Sequence, residues 1–347
     1  MMDTYDLLKD YKRVSIIGME KNVGKTTVLN QLIEDIGMKK IVGLTSIGRD
    51  GEDTDVVTNT HKPRIYVFPG TLVATARDCL RNCDITREIL YTTDFSTPMG
   101  NIIIMKAISA GYVDIAGPSY NAQIKKILEI MENFGSELSL IDGALSRKGS
   151  AVGDVTEATI LATGAALSLD MGKVIEETAN TVSLLTLPTL EDKELKDKIN
   201  KVFQNARVGI IYNDGEIKTL EGMGPLESND EIKNYLNDRI QVIAVRGAIT
   251  KKFIEILIKN RGNFKNIILI AKDGTKVFID FLTQKKLEAS GVELRVMNTI
   301  NLLFVTCNPR SPLGYEFPKD KFKKYLEEKI KYKVIDVVGE RNEIYRW

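Results

Sequence analysis

The sequence predicts an α/β protein, a mostly parallel sheet flanked by helices with a second, smaller α/β domain. Three observations carry that prediction. Apolar strand-like runs alternate with amphipathic helix patterns in a βαβ rhythm. The 347 residues suffice for roughly two domains, each burying its own core. Around Asn205 the pattern starts afresh, which divides the chain into an expected nucleotide-binding domain over 1–205 and a C-terminal α/β domain over 206–347.

In order, Arg13–Gly18 (RVSIIG) reads as a buried strand, a glycine-bearing loop follows, and Thr26–Ile36 reads as a helix stopped near Gly37. Ile41–Leu44 is the next strand. The polar stretch Thr45–Pro63 exceeds an ordinary connector and is a candidate functional loop. Short strands are expected at Arg64–Phe68, Ile102–Ile108 and Tyr112–Ile115, then a helix over Ser119–Phe134 with Ile124, Ile127, Leu128 and Met131 on one face. Glu137–Ile141 reads as a strand ending in Asp142-Gly143. A helix over Met171–Asn180, a strand over Val182–Leu187 and a charged helix after Pro188 close the first domain. The second domain opens with the hairpin Val208–Tyr212, Ile217–Leu220 about Asn213-Asp214-Gly215. Strands at Ile240–Val245, Asn266–Ala271, Val292–Met297, Leu302–Thr306 and Val334–Val338 follow, with helices over Thr250–Lys259 and Thr275–Ala289 and a lysine-rich helix near the end.

Composition excludes several classes. Lys and Arg (48) balance Asp and Glu (47), so no whole-chain basic field points to nucleic acid or an anionic membrane. No apolar run reaches the roughly 18 residues of a membrane span, and the acidic N-terminal stretch does not read as a signal peptide. Cys79, Cys83 and Cys307 do not form a paired framework or a zinc spacing, which favours reduced thiols and a cytoplasmic setting. One histidine, His61, rules out a multi-histidine metal centre, and no Ser/His/Asp or Cys/His catalytic set is expected, since His61 alone would have to serve it.

The sharpest motif is Gly18-Met19-Glu20-Lys21-Asn22-Val23-Gly24-Lys25-Thr26-Thr27, set between a predicted strand and a predicted helix. Gly24 lets the backbone approach phosphate, and the amides from Asn22 to Thr27 form an anion nest at a helix N-terminus. Lys25 would reach the β and γ oxygens of ATP, and the Thr26 hydroxyl would ligate Mg²⁺. The phosphate-binding residues are therefore expected to be Gly18, Glu20, Lys21, Asn22, Val23, Gly24, Lys25, Thr26 and Thr27. Gly18 precedes Gly24 by six residues rather than five, a longer loop than the common form. A metal-holding acid is expected at the end of a neighbouring strand. Asp142 after Leu138–Ile141 has that form, or else caps a helix. Asp50, and less so Asp53, in the Thr45–Asp55 loop can bind metal or align water, or lie in a solvated acidic loop. Ser119 reads as an N-cap or an anion-facing corner. Asn200-Lys201-Val202-Phe203 lacks the aspartate of a guanine-reading motif, which leaves ATP as the expected nucleotide. Cys307–Pro312 follows a buried strand and has no assigned ligand.

The longer loop resembles that of dethiobiotin synthetase and its SIMIBI P-loop relatives, many of which carry a signature lysine where this chain has Glu20. Lys21 stands one place on. A wider set of runs, KNVGKTT (Lys21–Thr27), TSIGRDGE (Thr45–Glu52), GTLVATA (Gly70–Ala76), IAGP (Ile115–Pro118), IDGA (Ile141–Ala144) and ILATGA (Ile160–Ala165), resembles the P-loop subunit of the lysine 5,6-aminomutase reactivase. That resemblance implies an ATP- and Mg²⁺-dependent factor that releases damaged cobalamin from an adenosylcobalamin-dependent lysine 5,6-aminomutase in lysine fermentation. It implies action together with a larger MutS-like reactivase ATPase subunit. Lys25, Asp50 and Asp142 would then be the catalytic residues and Thr26, Asp50 and Asp142 the metal ligands, while nucleotide state would reshape the Thr45–Pro63 and Asp142–Gly153 loops. Two other readings stand beside it: a dethiobiotin-synthetase-like ligase acting on a small carboxylate, and a non-catalytic nucleotide-binding scaffold subunit.

Overall fold

The computed structural model describes residues 4–48, 64–144, 155–220 and 232–337. The chain carries helix α1 (Thr4–Leu8), strand β1 (Arg13–Gly18), α2 (Lys25–Ile36), β2 (Val42–Ser46), β3 (Ile65–Val67), β4 (Leu72–Ala76), β5 (Arg87–Thr97), β6 (Gly100–Ala107), β7 (Gly111–Val113), α3 (Asn121–Asn133), β8 (Leu138–Ala144), β9 (Ala158–Gly164) and α4 (Met171–Leu185). It continues with α5 (Lys193–Asn205), β10 (Val208–Tyr212), β11 (Ile217–Leu220), β12 (Ile240–Val245), β13 (Ile249–Thr250), α6 (Lys251–Lys259), β14 (Ile267–Ala271), β15 (Val277–Phe278), α7 (Phe281–Ala289), β16 (Val292–Val296), β17 (Leu302–Asn308), α8 (Lys319–Ile330) and β18 (Val334–Ile335). The fold is α/β, and its larger sheet is mostly parallel and flanked by helices.

That sheet has nine strands in the order β18-β17-β9-β1-β8-β2-β4-β6-β5. Every neighbouring pair from β18 to β4 is parallel, and the β5–β6 hairpin extends the sheet antiparallel to β4. Its inner strands are buried on both faces, as a sheet covered on both sides demands, and carry small hydroxyl residues among the apolar ones. Val28, Leu29, Leu32, Ile33 and Ile36 recur at helical spacing and seat α2 on Val14, Ile16, Leu44, Leu140 and Ile160. On the opposite face, Ile124, Ile127, Leu128 and Met131 of α3 pack on Leu72, Ala74, Ile104 and Ile141. The connection from β1 runs toward β2 on one side, and that from β8 toward β9 on the other. The carboxyl ends of β1 and β8 therefore flank a point where the winding reverses, the usual place for a ligand in such sheets.

The chain divides into two compact units, and the division does not follow the expected 205/206 boundary. Ala179–Ile300 forms one unit, and the residues on either side of it form the other. The cause is β17, which pairs in parallel with β9 (Phe304↔Ile160, Val305↔Leu161, Thr306↔Ala162) and so returns the C-terminal residues to the nine-stranded sheet. Sequence order conceals a pairing between strands so far apart.

The Ala179–Ile300 unit holds a five-stranded sheet, β11-β10-β12-β14-β16, with β12, β14 and β16 parallel. Helices α6 and α7 cover one face through Phe253, Ile254, Leu257 and Leu287, and α5 covers the other through Leu195, Ile199 and Val202. The β10–β11 hairpin forms as expected.

Two expected elements take other forms. Val182–Leu187 is not a strand: α4 runs on to Leu185. A short apolar run fits either period. Here the hydroxyls of Thr178 and Ser183 donate to the carbonyls of Val174 and Asn180 at 2.7 and 2.8 Å, which satisfies them inside the helix, and Thr186 just past its end donates to Val182 O at 2.8 Å. The expected helix Thr275–Ala289 begins only at Phe281, because Val277–Phe278 first pairs with Ile249–Thr250 as a parallel ledge. Asp280 then caps α7, accepting from Thr283 N at 2.7 Å, and its carboxylate meets Lys251 Nζ at 2.8 Å.

Donation first from Lys251 and then from Thr283 holds the Asp280 carboxyl down at about 2, below the ordinary aspartate value. A lowered folded value means that the contribution is complete above about pH 4 and is lost as pH falls toward 2. Asp280→Ala is expected to cost about 1 kcal/mol at pH 7, the worth of a cap. Thermal unfolding of both forms across this range checks it, and the gap should close in acid.

Candidate functional site

The loop Gly18–Thr27 leaves the carboxyl end of β1, a central strand of the large sheet, and enters α2. Two residues of the loop take left-handed backbone, Asn22 (φ 61°) and Gly24 (φ 96°), with Gly24 directly preceding the helix. Alternation of left-handed and ordinary residues turns successive amides toward one side, the shape of an anion nest. No acidic residue occupies the first turn of α2, so the positive end of its dipole is not offset there. Val23 is buried and pins the loop from below, whereas Glu20, Lys21 and Thr27 are exposed and Asn22, Gly24, Lys25 and Thr26 are half-buried.

Lys25 folds back over its own loop, its Nζ donating to the Glu20 carbonyl at 3.2 Å. A Cβ on Gly18 would lie 2.7 Å from that Nζ, so glycine at 18 is what lets the lysine lie there. The ammonium therefore rests inside its own loop. The Glu20 side chain accepts from Lys21 N at 3.0 Å.

Asp142 lies within β8 rather than at its end, opposite Ile16 of β1 and Ser46 of β2. Partners in register share a face, so Asp142 stands on the face that α2 covers, the side of Thr26. A hydroxyl and a carboxylate are oxygen donors suited to Mg²⁺. Among the described residues no group of three or more His, Cys, Asp or Glu gathers as a metal site by itself. Asp50, together with Arg49, Asp53, His61, Arg147 and Lys148, lies outside the described residues.

Beside Asp142, three of the sequence runs meet. Strands β2 and β4 pair at Gly43↔Leu72 and Leu44↔Val73 and then diverge. The extended run Asp114–Pro118 fills the gap. Ser46 Oγ receives Gly117 N at 2.9 Å and Gly48 N donates to Pro118 O at 3.1 Å. On the other flank, Thr75 Oγ1 receives Ala116 N at 2.9 Å and donates to Asp114 O at 3.0 Å, while Ala76 N donates to Ala116 O at 2.8 Å. A Cβ on Gly117 would overlap the Ser46 carbonyl oxygen, which explains the glycine of the IAGP run. Ser119 is not the N-cap of α3: Tyr120 takes that position with no side-chain cap bond, because the chain stays extended one residue longer.

The residue that sequence reasoning left without a role is Asn308. It ends β17 in the position nearest the loop, its Cβ 3.5 Å from where a Cβ on Gly24 would lie. It occupies space left by Gly164 of β9, where an added Cβ would lie 2.9 Å from the Asn308 Cβ. The Asn308 side chain accepts from Arg310 N at 3.1 Å, and Tyr315 Oη donates to Ala165 O at 2.5 Å, tying the following loop to the end of β9. The available signal was an Asn-Pro pair directly after a buried strand.

Of the cysteines, Cys79 and Cys307 are buried and Cys83 is partly so, none of the three forms a disulfide, and burial pushes the Cys83 thiol up to about 11. A thiol raised so far is not poised as a nucleophile. Among the described residues, no helix is long and apolar enough to cross a membrane. Searched against protein-family models, curated proteins and solved structures, the chain matches none of them.

Proposed function

We propose that this chain is a P-loop nucleotide-binding protein of the SIMIBI kind, serving as the ATP- and Mg²⁺-dependent subunit of a reactivating factor for an adenosylcobalamin-dependent lysine 5,6-aminomutase. The observation that carries the nucleotide reading is the Gly18–Thr27 loop between a central parallel strand and α2, with Lys25 folded into it. The reactivase reading rests on the sequence resemblance. It is supported by the meeting of Ser46–Gly48, Thr75–Ala76 and Ile115–Pro118 beside Asp142, since these belong to the runs that carry that resemblance.

In this reading the loop amides and Lys25 bind the β and γ phosphates, and Gly24 supplies the turn that aims them. Thr26 and Asp142 would hold Mg²⁺, which when bound neutralises developing phosphate charge. Glu20 supplies no positive charge to the phosphates, so Lys21 or the larger MutS-like subunit would provide any second cation. Nucleotide binding would alter how this subunit docks on the mutase and so promote release of damaged cobalamin.

The test is Mg²⁺-ATPase activity of the purified chain, alone and with inactivated lysine 5,6-aminomutase plus the MutS-like subunit. The expected result is hydrolysis stimulated by the partners, with mutase activity recovered on adding adenosylcobalamin. Turnover with a small carboxylate would instead favour the ligase, and ATP binding without turnover or recovery the scaffold.

A further inference from the structure

The loop is held from beneath by a buried hydroxyl chain. Thr163 of β9 and Thr178 of α4 are both fully buried, with their Oγ1 atoms 2.8 Å apart. Thr178 Oγ1 also lies 2.7 Å from Val174 O and 3.3 Å from Met19 Sδ. A carbonyl only accepts, so the Thr178 proton points to Val174 O, with the Met19 sulfur as its weaker second acceptor. Thr178 then accepts from Thr163. Met19 is the first loop residue after Gly18, and its N–H donates to Ala162 O at 3.0 Å, extending the β1–β9 ladder by one residue. The next carbonyl, Glu20 O, is the one that receives Lys25 Nζ.

A Val–Val pair would fill the same volume and bury no polar atoms, so stability alone does not call for two hydroxyls in this layer. Their distinctive consequence is directional: they fix Met19, and Met19 fixes where Glu20 and Lys25 sit. We propose that Thr178, with Thr163 behind it, is a positioning residue for the Gly18–Thr27 loop and sets nucleotide affinity without touching the nucleotide. This rests on the nucleotide-binding reading above.

Titration calorimetry of the full chain with ATP and Mg²⁺ tests it in wild type, Thr178→Ser, Thr178→Val and the Thr163→Val/Thr178→Val pair, each with a thermal melt. Thr178→Val should raise Kd about threefold, the worth of a weak hydrogen bond, and Thr178→Ser should keep the wild-type Kd. The double valine, which leaves no orphaned hydroxyl, should regain the wild-type melting temperature and keep the raised Kd. Amide hydrogen exchange over Met19–Lys25, read without nucleotide, should be faster in both valine variants and needs no binding signal. A double valine with wild-type Kd and wild-type exchange overturns the positioning role while leaving the nucleotide site standing. Absence of ATP binding by the wild-type chain overturns the nucleotide reading and this inference with it.

Discussion

Lys25→Ala is expected to lower ATP affinity about a hundredfold or more and to leave the fold intact. In the proposed reading the ammonium would meet anionic phosphate oxygens in a half-buried loop, and charge-assisted bonds of this kind contribute about 1.5–3 kcal/mol each. Losing two of them amounts to about 3–6 kcal/mol, or roughly two to four decades in Kd. Stability should move little, because Lys25 makes its loop contact with a backbone carbonyl and is only half-buried. Calorimetric titration with ATP and a thermal melt of the same sample separate the two effects. Unchanged affinity would sink the phosphate-loop assignment.

Gly117→Ala is expected to destabilise the larger unit by about 3 kcal/mol, near the upper end for overpacking a well-filled site. The added methyl group would collide with backbone, the Ser46 carbonyl, rather than with a side chain that could rotate away. The clasp around it leaves no slack, since Gly117 N and Ala116 N are both held by side-chain hydroxyls, those of Ser46 and Thr75. For a unit of this size the melting temperature should fall by roughly 6–12 °C. The neighbouring substitution Ser119→Ala, at a residue that does not cap α3, serves as the control and should change little. A Gly117→Ala melt within a degree or two of wild type would show that the two runs do not pack as described.

Much of this architecture is written locally. The run RVSIIG, the glycine-bearing loop and the apolar stripe of α2 all lie within about two dozen residues, and each points to the same answer. The hairpin at Asn213-Asp214-Gly215 is equally local. Strands β4 and β9 escaped the reading because Ala, Thr and Gly dominate them, and small residues carry a weak strand signal although every position is buried. Strand β5 escaped for the opposite reason, being an edge strand with mostly exposed positions. Asp142 was legible as a residue but not as a mid-strand position, because the extent of β8 is set by its partners on both sides. Asn308 was illegible in its role, since only the long-range pairing of β17 with β9 brings it beside Gly24.

That pairing also orders events during synthesis. A ribosome releases β1, α2, β8 and β9 first, but the edge of β9 stays open until β17 has emerged, after all of Ala179–Ile300. The inner unit needs no later residue for its own sheet and so can close while the outer one waits. Throughout that interval a strand with every residue destined for burial, Ala158–Gly164, presents an unpaired edge. A fragment ending before Asn301 keeps that exposure permanently, which makes insolubility the expected fate of the chain cut at its apparent midpoint.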